Sequence, residues 1–188
     1  MSYLLRTIFF LHESLLPMIT SSNIEFNSSF FRLKGFCESQ NFAGYDPYDG
    51  LNSLIFKATP LNKWELARLA WIQGFKRSQI NFRKLFLVQK GHNAKGIGLF
   101  LSAYCNLYRN ELKKGTAIFG SDTELLNKIN ELALLLLKLR TPGYSGSCWG
   151  YNFDWQARGG LFFPARTPTV VATTYAAYGL LDAYELAG

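Results

Sequence analysis

Apolar residues recur at intervals of three and four through most of this chain, and no run alternates at period two for long enough to demand a sheet. That pattern restricts the fold to all-α, with about five helices. The clearest case runs from Asp122 to Arg140. Ser121-Asp122-Thr123-Glu124 reads as a capping box, in which Ser121 accepts from the backbone and Glu124 reaches back. Leu132 to Leu137 is the densest apolar run in the chain, so this helix is expected to be largely buried. Upstream, Asn93 can cap a helix whose apolar face is Ile97, Phe100, Leu101, Tyr104, Leu107 and Tyr108. From Leu61 to Ser78, the residues Trp64, Leu66, Ala67, Leu69, Ala70, Ile72 and Phe75 form the expected inner face. Lys63, Arg68, Lys76 and Arg77 are left outside. Residues 23–40 carry a further stripe at Ile24, Phe26, Phe30, Leu33, Phe36 and Cys37. Near the end, Thr167 is expected to cap a helix with Pro168 at its first position, where the missing N–H costs nothing. Val170 to Leu186 follows, with Ala172, Ala176, Ala177 and Gly179 permitting close helix packing.

Between these helices lie two conspicuous connections. Asn41 to Pro60 is broken by Gly44, Pro47, Gly50 and Pro60 and contains Tyr45-Asp46-Pro47-Tyr48-Asp49-Gly50. Gly143 to Thr169 is longer and holds Trp149, Tyr151, Asn152, Asp154, Trp155 and Arg158. A connection of that length is uncommon in a compact domain unless it has a task, so it reads as the floor or lip of a pocket. Ile80 to Gly91 shows no period and is expected to be loop with one turn of helix.

A chain of 188 residues suffices for one domain with a core. With 48% hydrophobic and 18% charged residues, its composition is globular and excludes a disordered chain. The organisation expected is an N-terminal extension over 1–22, poorly packed or disordered, followed by a single α-helical domain over 23–188. Met1 to Ile19 opens like a signal peptide, but His12 and Glu13 interrupt its apolar run. It is too short and polar to span a bilayer, which leaves a weak surface-membrane anchor as its second reading. Cys37, Cys105 and Cys148 are widely spaced and form neither a zinc pattern nor a disulfide framework. A reducing compartment, and so a cytoplasmic location, is the simplest fit. No cofactor and no metal site is expected; Asp46 and Asp49 lack further ligands in sequence.

The net charge of +7 is uneven: residues 1–115 hold 15 Lys and Arg against 7 Asp and Glu, whereas residues 116–188 hold 5 against 6. Such a basic half suits nucleic acid, a lipid surface or an acidic polysaccharide, or is simply a solvated face. Arg77 to Lys90 interleaves Phe82 and Phe86 with its cations but matches no nucleic-acid motif, so that partner is not favoured.

Three pieces carry a family resemblance: Tyr45-Asp46-Pro47-Tyr48-Asp49-Gly50, then Gly146-Ser147-Cys148-Trp149-Gly150-Tyr151-Asn152-Phe153-Asp154-Trp155-Gln156, then Thr167-Pro168-Thr169-Val170-Val171-Ala172-Thr173. Together, over residues 24–188, they resemble the α/α-toroid proteins of bacterial capsule and exopolysaccharide loci, whose activity is poorly defined. That family is similar in turn to six-hairpin carbohydrate enzymes and, more distantly, to terpenoid-cyclase toroids. The resemblance implies helical hairpins of a partial toroid and a role in polysaccharide metabolism. A six-hairpin ring needs more helix pairs than these stripes supply, so the chain resembles the N-terminal half of a member. The expectation is then a missing second half or self-association.

On that reading, loops at one end of the toroid converge on a cavity, and Asp49 and Asp154 would meet there as a catalytic pair, for hydrolysis, elimination or epimerisation of a sugar. Trp149, Tyr151 and Trp155 would offer flat faces to sugar rings, with Asn152 and Tyr48 as further contacts. Arg158 or Arg166 would pair a uronate carboxylate. The competing reading makes Asp46 and Asp49 turn residues bonded to their own backbone, and Asp154 a brace of its loop. The alternatives are a scaffold or interaction module without catalysis, and a terpenoid-cyclase-like enzyme using Asp46-x-x-Asp49.

Overall fold

The computed structural model describes residues 26–187, and the fold is all-α. The expectations for residues 1–22, an extension and a weak membrane anchor, lie outside the described residues. The chain divides into two compact units between Phe42 and Ala43. Of the first, α1 (26–39) is described, with Lys34 and Glu38 paired one turn apart at 2.9 Å. It ends where Asn41 and Phe42 take φ values of 49° and 56° and the Phe42 N–H returns to the Cys37 carbonyl at 2.9 Å. This is the left-handed close of a helix, made without glycine. Phe26, Leu33 and Phe36 of the expected stripe are exposed.

The second unit holds α2 (Leu54–Lys57), α3 (Glu65–Arg77), α4 (Ala94–Lys114), α5 (Asp122–Lys138) and α6 (Val170–Ala187), with 3-10 turns at Asp49–Asn52 and Pro60–Lys63. Its main core lies where α4 packs against both α5 and α6. Ile97, Leu101 and Cys105 of α4 are fully buried, as are Leu125, Leu132 and Leu136 of α5. The α4–α6 contact depends on small residues. A Cβ on Gly98 would lie 2.4 Å from the Tyr175 carbonyl oxygen, and one on Gly179 would lie 2.6 Å from that of Gly98. With Ala172 and Ala176 at 0% exposure, the two backbones touch. Arg109 then ties the far ends together through Asp182 (3.0 Å) and Glu185 (3.2 Å).

The capping box at Ser121 forms as expected: the Ser121 N–H donates to Glu124 Oε2 (2.8 Å) and the Glu124 N–H to Ser121 Oγ (3.3 Å). Asn93 caps α4 through Lys95 N–H at 3.0 Å. Two expectations change. α6 begins at Val170, not at Pro168, because Pro168 is held in a bridge with Gly150 and Thr169 Oγ1 takes the Ala172 N–H (3.1 Å). Thr167 instead donates its hydroxyl to the Pro164 carbonyl (2.7 Å). The connection also holds a short antiparallel hairpin, β1 (Trp155–Gln156) with β2 (Phe162–Phe163), turned by Gly159 and Gly160 at φ 80° and 84°. Pairing is limited to two residues on each strand, too little to make a sheet on which the fold is built.

α3 departs most from its expected face. Ile72 and Phe75 are buried, but Trp64 and Leu66 are exposed, and Arg68 turns inward to Gln156 Oε1 (2.7 Å). Here a satellite core forms around Leu51, Phe56 and Ile72. Trp71 stacks on Phe56 at 4.7 Å, donates its indole N–H to the Gly50 carbonyl (2.9 Å) and meets Phe86 edge-on. Residues 82–87 form turns that bring Phe86 there, close to the single helical turn expected between Ile80 and Gly91.

Candidate functional site

The long connection is pinned at both ends. Thr141 N–H donates to the Cys148 carbonyl (2.8 Å), and its hydroxyl to the Arg166 carbonyl (2.9 Å). Gly150 is required by close approach, since a Cβ there would sit 2.2 Å from the Thr167 carbonyl oxygen. Trp149 is a correction to the expected sugar platform. It is 3% exposed and donates its indole N–H to the Leu136 carbonyl at 2.7 Å, so its ring fills the core beneath α5 and offers no face to a ligand.

From Tyr151 onward the side chains sort alternately to two sides. Tyr151, Phe153 and Trp155 line one cleft of about 520 Å³. Asn152, Asp154 and Gln156 face elsewhere: Asn152 toward Gly91, Asp154 into a separate cleft with Lys57, and Gln156 into the interior beside Arg68. Successive residues of an extended segment point to opposite faces, which explains the division. Tyr151 stacks on Phe153 (5.2 Å) and Trp155, 37% exposed, stacks on Phe163 (5.4 Å), so each ring of the aromatic wall is held by a stacking partner.

The other walls come from distant parts of the chain. Asp46, Pro47 and Tyr48 supply one, Asn93 and Lys95 a second, and Thr169 and Val171 a third. The first turns of α4 and α6 therefore border one cleft, and helix N-termini carry partial positive charge. Lys95 makes no ion pair among the described residues; its ammonium lies 5.1 Å above the Tyr175 ring. Tyr48 lines the cleft while its hydroxyl accepts from Lys76 Nζ at 2.7 Å. Sequence reasoning missed Lys95 as a site residue and used Asn93 only as a cap. The Asn93 cap, which marks a helix start with Lys95 in its first turn, was the available signal.

The three candidate carboxylates, Asp46, Asp49 and Asp154, are all engaged. Asp49, at 3% exposure, pairs with Arg83 Nε at 2.8 Å and accepts the Asp46 N–H at 3.0 Å. Burial pushes its carboxyl above the ordinary value, and the Asp46 N–H and Arg83 oppose that only in part. Arg83 also donates to the Asp46 carbonyl (2.8 Å), so this cation organises the whole turn. Asp46 is the one carboxylate among the cleft's lining residues, and its two oxygens accept from the Tyr48 N–H (3.0 Å) and Asn93 Nδ2 (3.3 Å). Asp154 pairs with Lys57 (2.9 Å) and accepts the Ala165 N–H (2.8 Å). Asp49 and Asp154 line no common described cleft, contrary to the expectation that they meet: Asp49 folds inward on its own turn, and Asp154 leaves the extended segment on the side away from the aromatics.

Asn152 braces the loop through its carbonyl, which accepts from Asn52 Nδ2 at 3.0 Å. Asn52 Oδ1 in turn accepts the Asp154 N–H at 3.3 Å. Arg158 is exposed in the turn between β1 and β2, outside the residues that line the aromatic cleft. The structure thus groups Tyr48, Tyr151 and Trp155, and separates from them Trp149, Asn152, Asp154, Arg158 and Asp49. Comparison with protein families, with curated proteins and with solved structures finds no match for the chain.

Proposed function

We propose that the protein serves bacterial polysaccharide metabolism by binding an acidic sugar in the cleft between the Asp46–Tyr48 turn, the aromatic segment and the starts of α4 and α6. One observation carries this reading: Tyr151, Phe153 and Trp155 share that cleft with Lys95, which has no ion-pair partner among the described residues. Aromatic faces suit the C–H side of a pyranose ring. An ammonium beside two helix N-termini suits a carboxylate. A volume of about 520 Å³ is within the usual range for small-ligand sites. Three free thiols fit a reducing, cytoplasmic setting.

The geometry favours binding over turnover. Glycoside hydrolysis asks for two carboxylates across one bond, and the cleft is lined by Asp46 alone, already engaged in its turn. Terpenoid-cyclase chemistry has less support, because Asp49 of Asp46-x-x-Asp49 is committed to Arg83. Calorimetry with oligouronides and with neutral oligosaccharides of equal length tests the proposal. Trp155→Ala is expected to weaken binding of both by about tenfold, the equivalent of roughly 1–1.5 kcal/mol. Lys95→Ala is expected to abolish the preference for the acidic ligand. A folded, monodisperse sample that binds no acidic oligosaccharide would sink the idea.

A second reading, a non-catalytic interaction module, has its own observation. α6 carries Val170, Tyr178, Leu181 and Tyr184 exposed on a helix with no basic residue. Contiguous exposed apolar surface commonly marks an interface.

A further inference from the structure

We propose that the segment from Leu61 to Leu87 docks on the surface of an anionic lipid bilayer. It comprises the second 3-10 turn, α3 and the returning turn at 82–87. Its solvent side carries large apolar side chains among its cations, where a surface helix is ordinarily polar throughout. Leu66 is 80% exposed, Leu85 66% and Trp64 64%, and Ile80 and Leu87 are exposed as well. Along α3, Leu66, Ala70 and Gly74 recur every four residues and all face solvent, while Ile72 and Phe75 fill the inner side. Beside that stripe opens an aromatic groove of about 480 Å³, with Ala70 and Gly74 of α3 and Phe82 and Phe86 of the returning turn in its walls.

Charge identifies the occupant. Leu61 to Leu87 contains six cations (Lys63, Arg68, Lys76, Arg77, Arg83, Lys84) and one carboxylate, Glu65, which is occupied by the Gly160 N–H at 2.8 Å. Lys63, Lys76, Arg77 and Lys84 are exposed. Exposed cations alone would suit a nucleic acid, but exposed aliphatic residues such as Leu66, Ile80 and Leu85 gain nothing against phosphates. A bilayer surface uses both features: cations are drawn to anionic headgroups, and apolar side chains enter the boundary between headgroups and acyl chains. Such docking needs no spanning segment, and among the described residues no helix is long and apolar enough to cross a membrane.

Co-sedimentation of the full chain with vesicles tests this, using phosphatidylcholine alone and phosphatidylcholine mixed with phosphatidylglycerol. Binding is expected to the mixed vesicles only and to weaken as salt rises. The pairs Leu66→Asp with Leu85→Asp, and Arg77→Glu with Lys84→Glu, are each expected to weaken it by at least about tenfold. All four positions are on the surface, and cooperative melting checks that the variants fold. Trp155→Ala should bind vesicles as the wild type does, which separates this outcome from failure of the sugar site. The proposal is overturned by absence of binding to the mixed vesicles, or by binding that the two double variants leave intact. It is equally overturned if the same four residues instead govern retention of single-stranded RNA or dimerisation in lipid-free solution.

Discussion

Glu111 lies in the last turn of α4, 1% exposed, with its carboxylate turned to the chain that leaves the helix. It accepts from the Thr116 hydroxyl (2.7 Å), the Ile118 N–H (3.0 Å) and the Phe119 N–H (3.4 Å). The Thr116 hydrogen bond, with the two backbone donors behind it, holds the carboxyl below its ordinary value of 4.5. These bonds favour the charged form in the folded state only. The stabilisation is therefore complete above that ordinary value and is lost as pH falls through the lower folded-state value. Glu111→Gln is expected to lower the melting temperature at neutral pH. Thermal melts at stepped pH should show the wild type converging on the variant in acid. Parallel curves from neutral pH downward would contradict this role. A single carboxylate thus closes the connection between α4 and α5, much as Arg83 closes the Asp46–Asp49 turn.

At the scale of elements, the α4–α6 crossing sets the distance between the two helix starts that border the cleft. Gly98 allows it, because no side chain fits between its Cα and the Tyr175 carbonyl. Gly98→Ala is expected to destabilise the protein by about 3 kcal/mol, at the upper end for overpacking because the obstacle is backbone and cannot rotate away. For a chain of this size that is a loss on the order of 6–12 °C in melting temperature, readable by calorimetry. Gly96→Ala, two residues away, has only Asn93 Cβ at 3.9 Å and serves as the control with little change. Binding at the proposed sugar site should fall with Gly98→Ala beyond the loss of folded protein, since the Lys95 and Val171 walls are moved apart.

For the whole molecule, the exposed face of α6 matters most. A helix that is apolar nearly all round is ordinarily buried, yet Tyr178, Leu181 and Tyr184 face solvent. The chain is expected to self-associate through this face at micromolar concentration and above. Tyr178→Lys with Leu181→Lys should yield a monomer with an unchanged melting temperature, measured by light scattering against concentration. A wild-type monomer at every concentration would remove the interaction-module reading while leaving the proposed sugar site untouched.

What the sequence by itself determined is what is local. Helix-period spacing marks α4 and α5, and Ser121 with Glu124 and Asn93 with Lys95 mark their starts, because each partner lies within one turn of the other. The alternation Tyr151-Asn152-Phe153-Asp154-Trp155-Gln156 was also present, an aromatic at every odd position and a polar residue at every even one. Only the tertiary structure decided its meaning. Lys57 and Arg68 draw Asp154 and Gln156 to one side, and the helix starts meet Tyr151 and Trp155 on the other. Trp149 was indistinguishable in sequence from Trp155 until Leu136 supplied a buried acceptor for its indole. Pro168 could not act as the first residue of α6 once Gly150 held it in a bridge. Leu66 satisfies the apolar period of α3 but lies outside the narrow face that Ile72 and Phe75 bury. In each case the deciding partner is far away along the chain, and periodicity reports only what lies within a turn or two.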